Sequence, residues 1–370
     1  MADALPIPPL TSGITAAPAV AYDGGGTIIG TGAFAYPPML VDVRDGTVTA
    51  KALSADLSVN ISGHGAFGYM EPGGPLHYAL PTMSGIKIVE GWVSILRPLL
   101  MSWDLTDRKA GPAAKAELED IHFYVSPAIA DVDGDGRSEV IAGSSGFYVH
   151  ALSPDGTEPP GWPKYTFNWI IASVAAGDPD NDGLLEIIQP THEGRLLGWE
   201  ATGPACTVDR LNATWRRFHH DERNTGYLGT DTLPPGVPLD FTKSPAGDGG
   251  TILNWDAPGG DWYCGRAARY EIRVGDDPDA LRTPEGFAEA EVIDADLTPR
   301  APRRAEELAL PTQPFERHFA IRAVDAEGHL GHIALAEEDF GTCCDDDDTA
   351  DDDDDFSDDD DDDDDACCGC

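Results

Sequence analysis

Four carboxylates at alternating positions make the stretch DVDGDGRSE (131–139) a candidate cation loop, and DPDNDGLLE (178–186) repeats the pattern 47 residues later. Alternate side chains on a tightly turned backbone converge on one point, and hard oxygen donors in that arrangement suit a hard cation. Calcium fits better than magnesium because it accepts six to eight oxygens in irregular geometry. The spacing assigns Asp131, Asp133 and Asp135 one oxygen each, the backbone carbonyl of Arg137 another, and Glu139 the closing position. Asp178, Asp180, Asp182, the carbonyl of Leu184 and Glu186 take the same roles in the second copy. Gly136 and Gly183 stand at the sixth position, where a sharp turn leaves no room for a side chain.

An EF-hand shares the first six positions but needs a bidentate Glu at position twelve and flanking helices. Position twelve is Ala142 in one loop and Gln189 in the other. The acid at position nine instead runs straight into apolar, strand-like sequence. A single such loop reads as an acidic surface turn; two in register, each preceded by a small-apolar strand, read as a structural device.

The elements that hold these loops are short strands. SPAIAD (126–131) and SVAAGD (173–178) lead into the loops, and FYVHAL (147–152) and RLLGWE (195–200) follow them. APAVAY (17–22) and GAFGY (65–69) are degenerate starts of the same unit. Their turns, DGGG from Asp23 and EPGG from Glu71, lack the acid series, so no ion is assigned there. The wider spacing after Tyr69 predicts an insertion around 92–110. A period of 45–50 residues with four short strands per unit is the signature of β-propeller blades. Four units fall short of most closed propellers, so an open arc with an exposed edge is expected.

The phrases SPAIADVDGDGRSEVIAGSSG and SVAAGDPDNDGLLEII resemble the FG-GAP or VCBS repeats of integrin-like propellers, over residues 14–204. The resemblance implies calcium clips on the two later blades. WRRFHHDERNTGY (215–227) is similar to the segment that follows the last such blade in bacterial secreted proteins. Its His219-His220-Asp221 is the one cluster that looks catalytic. Adjacent histidines of an extended chain face opposite ways, so a structural role is expected, with Trp215 and Phe218 packing the segment onto the blades.

From Pro234 the pattern changes to alternating strands at 239–241, 251–255, 269–274 and 317–324. The stretch 234–337 resembles a fibronectin type III module, with Trp255 as its core tryptophan and FAIRAVDAEGHLG as its sixth strand, turn and seventh. No RGD tripeptide occurs, so a spacer role is expected. Residues 338–370 hold a run of Asp that cannot offset its own ordering entropy. The closing CCGC resembles the start of a bacterial surface-sorting tail, without the apolar helix and basic end of one. The expected organisation is an N-terminal extension (1–13), propeller blades (14–204), a connecting segment (205–233), the sandwich (234–337) and a disordered acidic tail (338–370): an all-β chain with a partial or small propeller of about four blades.

The net charge is −42, and 17 Asp of the tail account for much of it; the remainder still carries 49 acids against 24 bases. Nucleic acid and anionic membranes are poor partners for such a surface. No apolar run approaches the ~20 residues that span a bilayer, and MADALPIPPL lacks the basic and apolar regions of a signal peptide. Cys206 and Cys264 could pair in an oxidising compartment. G-x-S-x-G, H-E-x-x-H and P-loop motifs are absent, which argues against an enzyme. The expected function is a non-catalytic, calcium-binding, secreted or cell-surface protein for adhesion, display or scaffolding, with an unknown protein or glycan surface ligand. The alternative is the non-catalytic C-terminal part of a larger secreted hydrolase, such as a subtilisin-like protease.

Overall fold

The computed structural model describes residues 16–32, 37–53, 60–84, 87–89, 92–94, 97–106, 112–120, 125–180, 182–204, 215–229, 231–247, 249–295 and 297–339. Among the described residues the chain is all-β apart from two short helices, Pro278–Leu281 and Pro284–Glu289. The first half forms four successive antiparallel meanders, and none of these sheets closes on itself. The first runs Ala19–Tyr22, Thr27–Thr31, Met39–Arg44, Thr47–Ala52, and the second Ala66–Tyr69, Leu76–Ser84, Arg97–Asp104, Ala114–Glu117. The third runs Ala128–Ala130, Glu139–Ser144, Tyr148–Leu152, Lys164–Tyr165, and the fourth Ala175–Gly177, Leu184–Pro190, Leu196–Pro204.

Burial explains the strand sequences. Leu184–Pro190 alternates buried and half-buried positions, as one covered face demands, whereas Glu139–Ser144 is buried at every position. A strand covered on both faces reads as a continuous small-apolar run, and EVIAGS is one. Ile129, Val140, Ala142 and Leu152 pack with Phe67, Tyr78 and Trp103 of the second sheet, while Ile141, Val149 and Ala151 pack with Leu185 and Ile187 of the fourth. The third sheet is thus the filling between its neighbours. Equivalent positions of the repeat touch directly: the Ser126 N–H donates to Ser173 Oγ at 2.8 Å.

The segment 215–228 runs along the first strands of the sheets. The Trp215 carbonyl accepts from Ile129 N at 2.9 Å, the Arg216 carbonyl from Ala176 N at 2.8 Å, and the Gly226 carbonyl from Val20 N at 2.7 Å. Tyr227–Leu228 then pairs in parallel with Ala19–Tyr22. That strand is therefore covered by the chain itself, where the sequence led us to expect an exposed edge. Trp215 is buried in the core as expected, whereas Phe218 stays partly exposed and stacks on His219.

The extra residues of the second unit extend the hairpin between Leu76–Ser84 and Arg97–Asp104, whose tip carries the two-stranded Lys87–Val89 and Trp92–Ser94. The insertion thus lies ahead of 97 rather than reaching to 110.

The second half packs two four-stranded sheets face to face. One has the order Ala305–Leu310, Thr251–Asp256, Leu239–Pro245, Glu337–Glu338; the other Glu291–Ile293, Arg269–Gly275, His318–Val324, Ala334–Leu335. Phe241, Leu253 and Trp255 meet Ile272, Val274, Phe319 and Ile321 between them. Lys243 is buried with its charge satisfied: Nζ donates to the carbonyls of Phe315 and Arg317 and pairs with Glu338 at 3.2 Å. Among the described residues no helix is long and apolar enough to cross a membrane. The expected N-terminal extension, Cys206, and the acidic tail from 340 onward with its cysteines lie outside the described residues.

Candidate metal centres

Both acidic loops are built by the same local bonds. An Asp side chain that accepts the N–H two residues ahead closes a small turn, and each loop strings two of these together. Asp133 accepts from Asp135 N at 3.2 Å and Asp135 from Arg137 N at 2.8 Å; the counterparts are Asp180 from Asp182 N at 3.2 Å and Asp182 from Leu184 N at 2.7 Å. The first acid spans the turn, Asp131 accepting from Gly136 N at 2.9 Å and Asp178 from Gly183 N at 3.0 Å. Gly136 and Gly183 adopt φ +84° and +90°, the left-handed region that glycine enters without steric cost.

These turns bring three carboxylates together in each loop. One oxygen each from Asp131, Asp133 and Glu139 lie within 4.8 Å of one another, as do oxygens of Asp178, Asp180 and Glu186. Asp135 and Asp182 stand outside these groups. Asp135 holds Arg137 instead, through Nε at 2.8 Å and Nη2 at 2.6 Å. Arg137 and Leu184 close the two turns through their backbone N–H groups.

The electrostatics of each group favour a cation. Glu139 is buried and accepts from Val132 N at 3.0 Å and Ser153 Oγ at 3.1 Å. Burial, reinforced by the charges of Asp133 and Asp131, pushes its carboxyl up to about 8. Burial also raises Asp131, against the N–H groups of Gly134 and Gly136. Glu186 is pushed up to about 7 by burial and by Asp180, Asp178 and Asp182. Both of its carboxylate oxygens are buried without a hydrogen-bond partner, an arrangement that costs free energy unless something positive fills it. An all-oxygen donor set selects calcium or magnesium over softer metals, and the residues present fit calcium.

The two loops sit in different surroundings. The first packs on the fourth sheet, where a Cβ at Gly203 would lie 2.0 Å from the Asp131 carbonyl oxygen. The second faces the sandwich: a Cβ at Gly183 would lie 3.0 Å from Arg303 Nη2, and burial, with the Asp178 charge adding to it, raises Tyr263. Arg216, beside the fourth sheet, lies over the ring of Trp262 at 4.8 Å.

His219 and His220 do not lie on an extended chain. Both take positive φ, +57° and +75°, in a turn capped by Asp221, which accepts from Arg223 N and Thr225 N. His220 Nδ1 contacts Asp221 at 3.2 Å, a local bond of the expected kind on a different backbone.

Two further clusters escaped the sequence reading. Asp231, Asp325 and His329 bring ligand atoms within 4.8 Å, and burial together with Asp231 raises the neighbouring Asp261. His150 is buried between Glu158 at 2.7 Å and Glu119 at 2.9 Å. No spacing rule flags residues drawn from such separate segments. Cys264 is disulfide-bonded, and its partner lies outside the described residues.

Comparison with known proteins gives a short family match and remote structural likenesses. No curated protein sequence matches the chain. The computationally designed Ika4 protein aligns with 52% of this chain and 92% of its own, at 12% identity and TM-score 0.25. BBS1N in complex with ARL6DN aligns over 88% of this chain and 82% of its own, at 11% identity and TM-score 0.31. The profile of the FG-GAP-like repeat matches residues 131–188, from the first acid of one loop to the strand that follows the other.

Proposed function

We propose that the chain is a non-catalytic, calcium-binding display module of a secreted or cell-surface protein: four propeller-type blades, two clipped by calcium, joined to a fibronectin type III-like sandwich. The observation that carries this reading is the duplicated loop, with three carboxylates converging at identical positions in consecutive sheets. In this reading Asp135, Asp182 and the carbonyls of Arg137 and Leu184 complete the two shells when the cation is bound. The disulfide at Cys264 supports an oxidising compartment. The carboxylates stand in ion-binding spacing, which charge neutralisation explains more simply than acid–base chemistry.

Calorimetric titration of the chain with calcium tests the proposal. Two sites are expected, with Kd of about 10⁻⁴–10⁻³ M as in extracellular modules, and Asp133→Ala and Asp180→Ala should each abolish one. A chain that takes up no calcium and melts identically with and without chelator defeats the proposal.

A further inference from the structure

The link between the third and fourth sheets displays its large side chains the wrong way round for a folding segment. Along 165–171, Thr166 and Ile170 are buried, while Tyr165 is 45%, Phe167 68%, Trp169 54% and Ile171 51% exposed. Large aromatic side chains are more often buried than displayed; only Lys164–Tyr165 is strand here, and the chain bends at 167–168. Backbone bonds fix the arrangement. Thr166 N donates to the Phe147 carbonyl and His192 N to the Trp169 carbonyl, both at 2.8 Å, and Thr166 Oγ1 caps the Asn168 carbonyl. Phe147 and Phe167 are held at φ +73° and +64°, conformations that cost free energy for a bulky residue and concentrate at functional sites.

Of these exposed side chains Trp169 lines a cleft of about 310 Å³, together with Phe147, Asn168, His192 and Glu193. Contiguous exposed apolar surface with a few placed polar groups marks a binding site. The side-chain oxygen of Asn168 accepts from Trp169 N at 2.6 Å, which fixes the amide and turns its donors away from the backbone. The cleft therefore offers two aromatic walls, an amide, an imidazole and a carboxylate, and its lining holds no lysine or arginine. That argues against an anionic ligand, as does the excess of acids over bases outside the acidic tail. The rings continue outside the cleft in a row, Tyr148 to Tyr165 at 5.2 Å and Tyr165 to Phe167 at 4.8 Å, longer than a compact cation would occupy.

We infer that this strip and cleft bind a neutral oligosaccharide. The apolar C–H face of a pyranose ring stacks on Trp169, while hydroxyls exchange hydrogen bonds with Asn168, His192 and Glu193; the ring row contacts further sugar units. The inference rests on the display-module reading for its context and uses none of the calcium ligands.

The full chain is titrated with hexasaccharides of β-1,4-glucose, β-1,4-N-acetylglucosamine and α-1,4-glucose, and with tetramethylammonium, by calorimetry and tryptophan fluorescence, with and without calcium. Binding of at least one hexasaccharide is expected, weakened tenfold or more by Trp169→Ala and severalfold by Asn168→Ala. The Trp169 side chain is 54% exposed, so the melting temperature should hold in Trp169→Ala; Asn168→Ala also removes the bond to Trp169 N, so its binding is read at a temperature where the variant is folded. Binding of none of the sugars, unchanged binding by Trp169→Ala, or binding of tetramethylammonium alone overturns the inference. So does concentration-dependent dimerisation lost in Trp169→Ala, which would assign the strip to a second copy of the chain. Calcium-dependent melting is read on the same samples, so failure of sugar binding and failure of the calcium reading are told apart.

Discussion

The guanidinium of Arg303, in the sandwich, rests against Gly183 of the second acidic loop, so closely that a Cβ at 183 would lie 3.0 Å from Nη2. The second acidic loop is therefore also a seat for the neighbouring module. Gly183→Ala should destabilise by roughly 1–2 kcal/mol, because φ +90° is strained for alanine and Arg303 must shift. Calcium titration of this variant should show the second site weakened and the first unchanged.

Glu139 sets a pH dependence whose sign is opposite to that of a salt-bridged acid. Its carboxyl is pushed from 4.5 up to about 8 by burial and by Asp133 and Asp131. Between those values the folded chain holds a proton that the unfolded chain has released, so stability falls as pH rises. Urea midpoints of the calcium-free protein should therefore drop from pH 5 to pH 8. Saturating calcium or Glu139→Gln should flatten the trend.

His150 acts in the same sense, through a base rather than an acid. Burial lowers its pKa, but hydrogen bonds to Glu158 and Glu119 outweigh burial and raise it above 6.5. A raised histidine contributes stability in full below 6.5 that is lost as pH climbs through the folded value. His150→Gln should accordingly cost more at pH 6 than at pH 9. An imidazole titration by NMR should place the folded pKa above 6.5.

Trp215 joins the core of the first three sheets while its carbonyl accepts from Ile129. Trp215→Ala should cost about 3–5 kcal/mol, the range for large-to-small changes in a packed core. Differential scanning calorimetry should show the transition of the first half displaced downward.

Legibility followed sequence distance. Every carboxylate of an acidic loop lies within nine residues, so spacing alone located both groups, whereas Trp255, buried between the two sheets, was placed by resemblance to a known module. The diversion of Asp135 to Arg137 was not visible, since an arginine two residues away competes with the cation only in three dimensions. Asp325 and His329 share one turn, and Asp231 joins them from about ninety residues earlier in the chain. The strip at 165–171 carries no motif, so nothing in the sequence marked it, and only the fold shows which of its side chains are exposed. His219 and His220 eluded the extended-chain reading because the turn that bends them is stabilised by Asp221 after them.

The hydrogen bond from Val20 to Gly226 spans more than half the length of the chain. Contacts so distant in sequence are slow to form, since loop closure must precede them. While the polypeptide emerges from the ribosome, the strand Ala19–Tyr22 has to wait for its partner until four sheets have been synthesised. Through that interval its open edge is a template for pairing with other chains. An incompletely synthesised chain thus carries an aggregation hazard concentrated at its first strand, which ends only when Tyr227–Leu228 arrives.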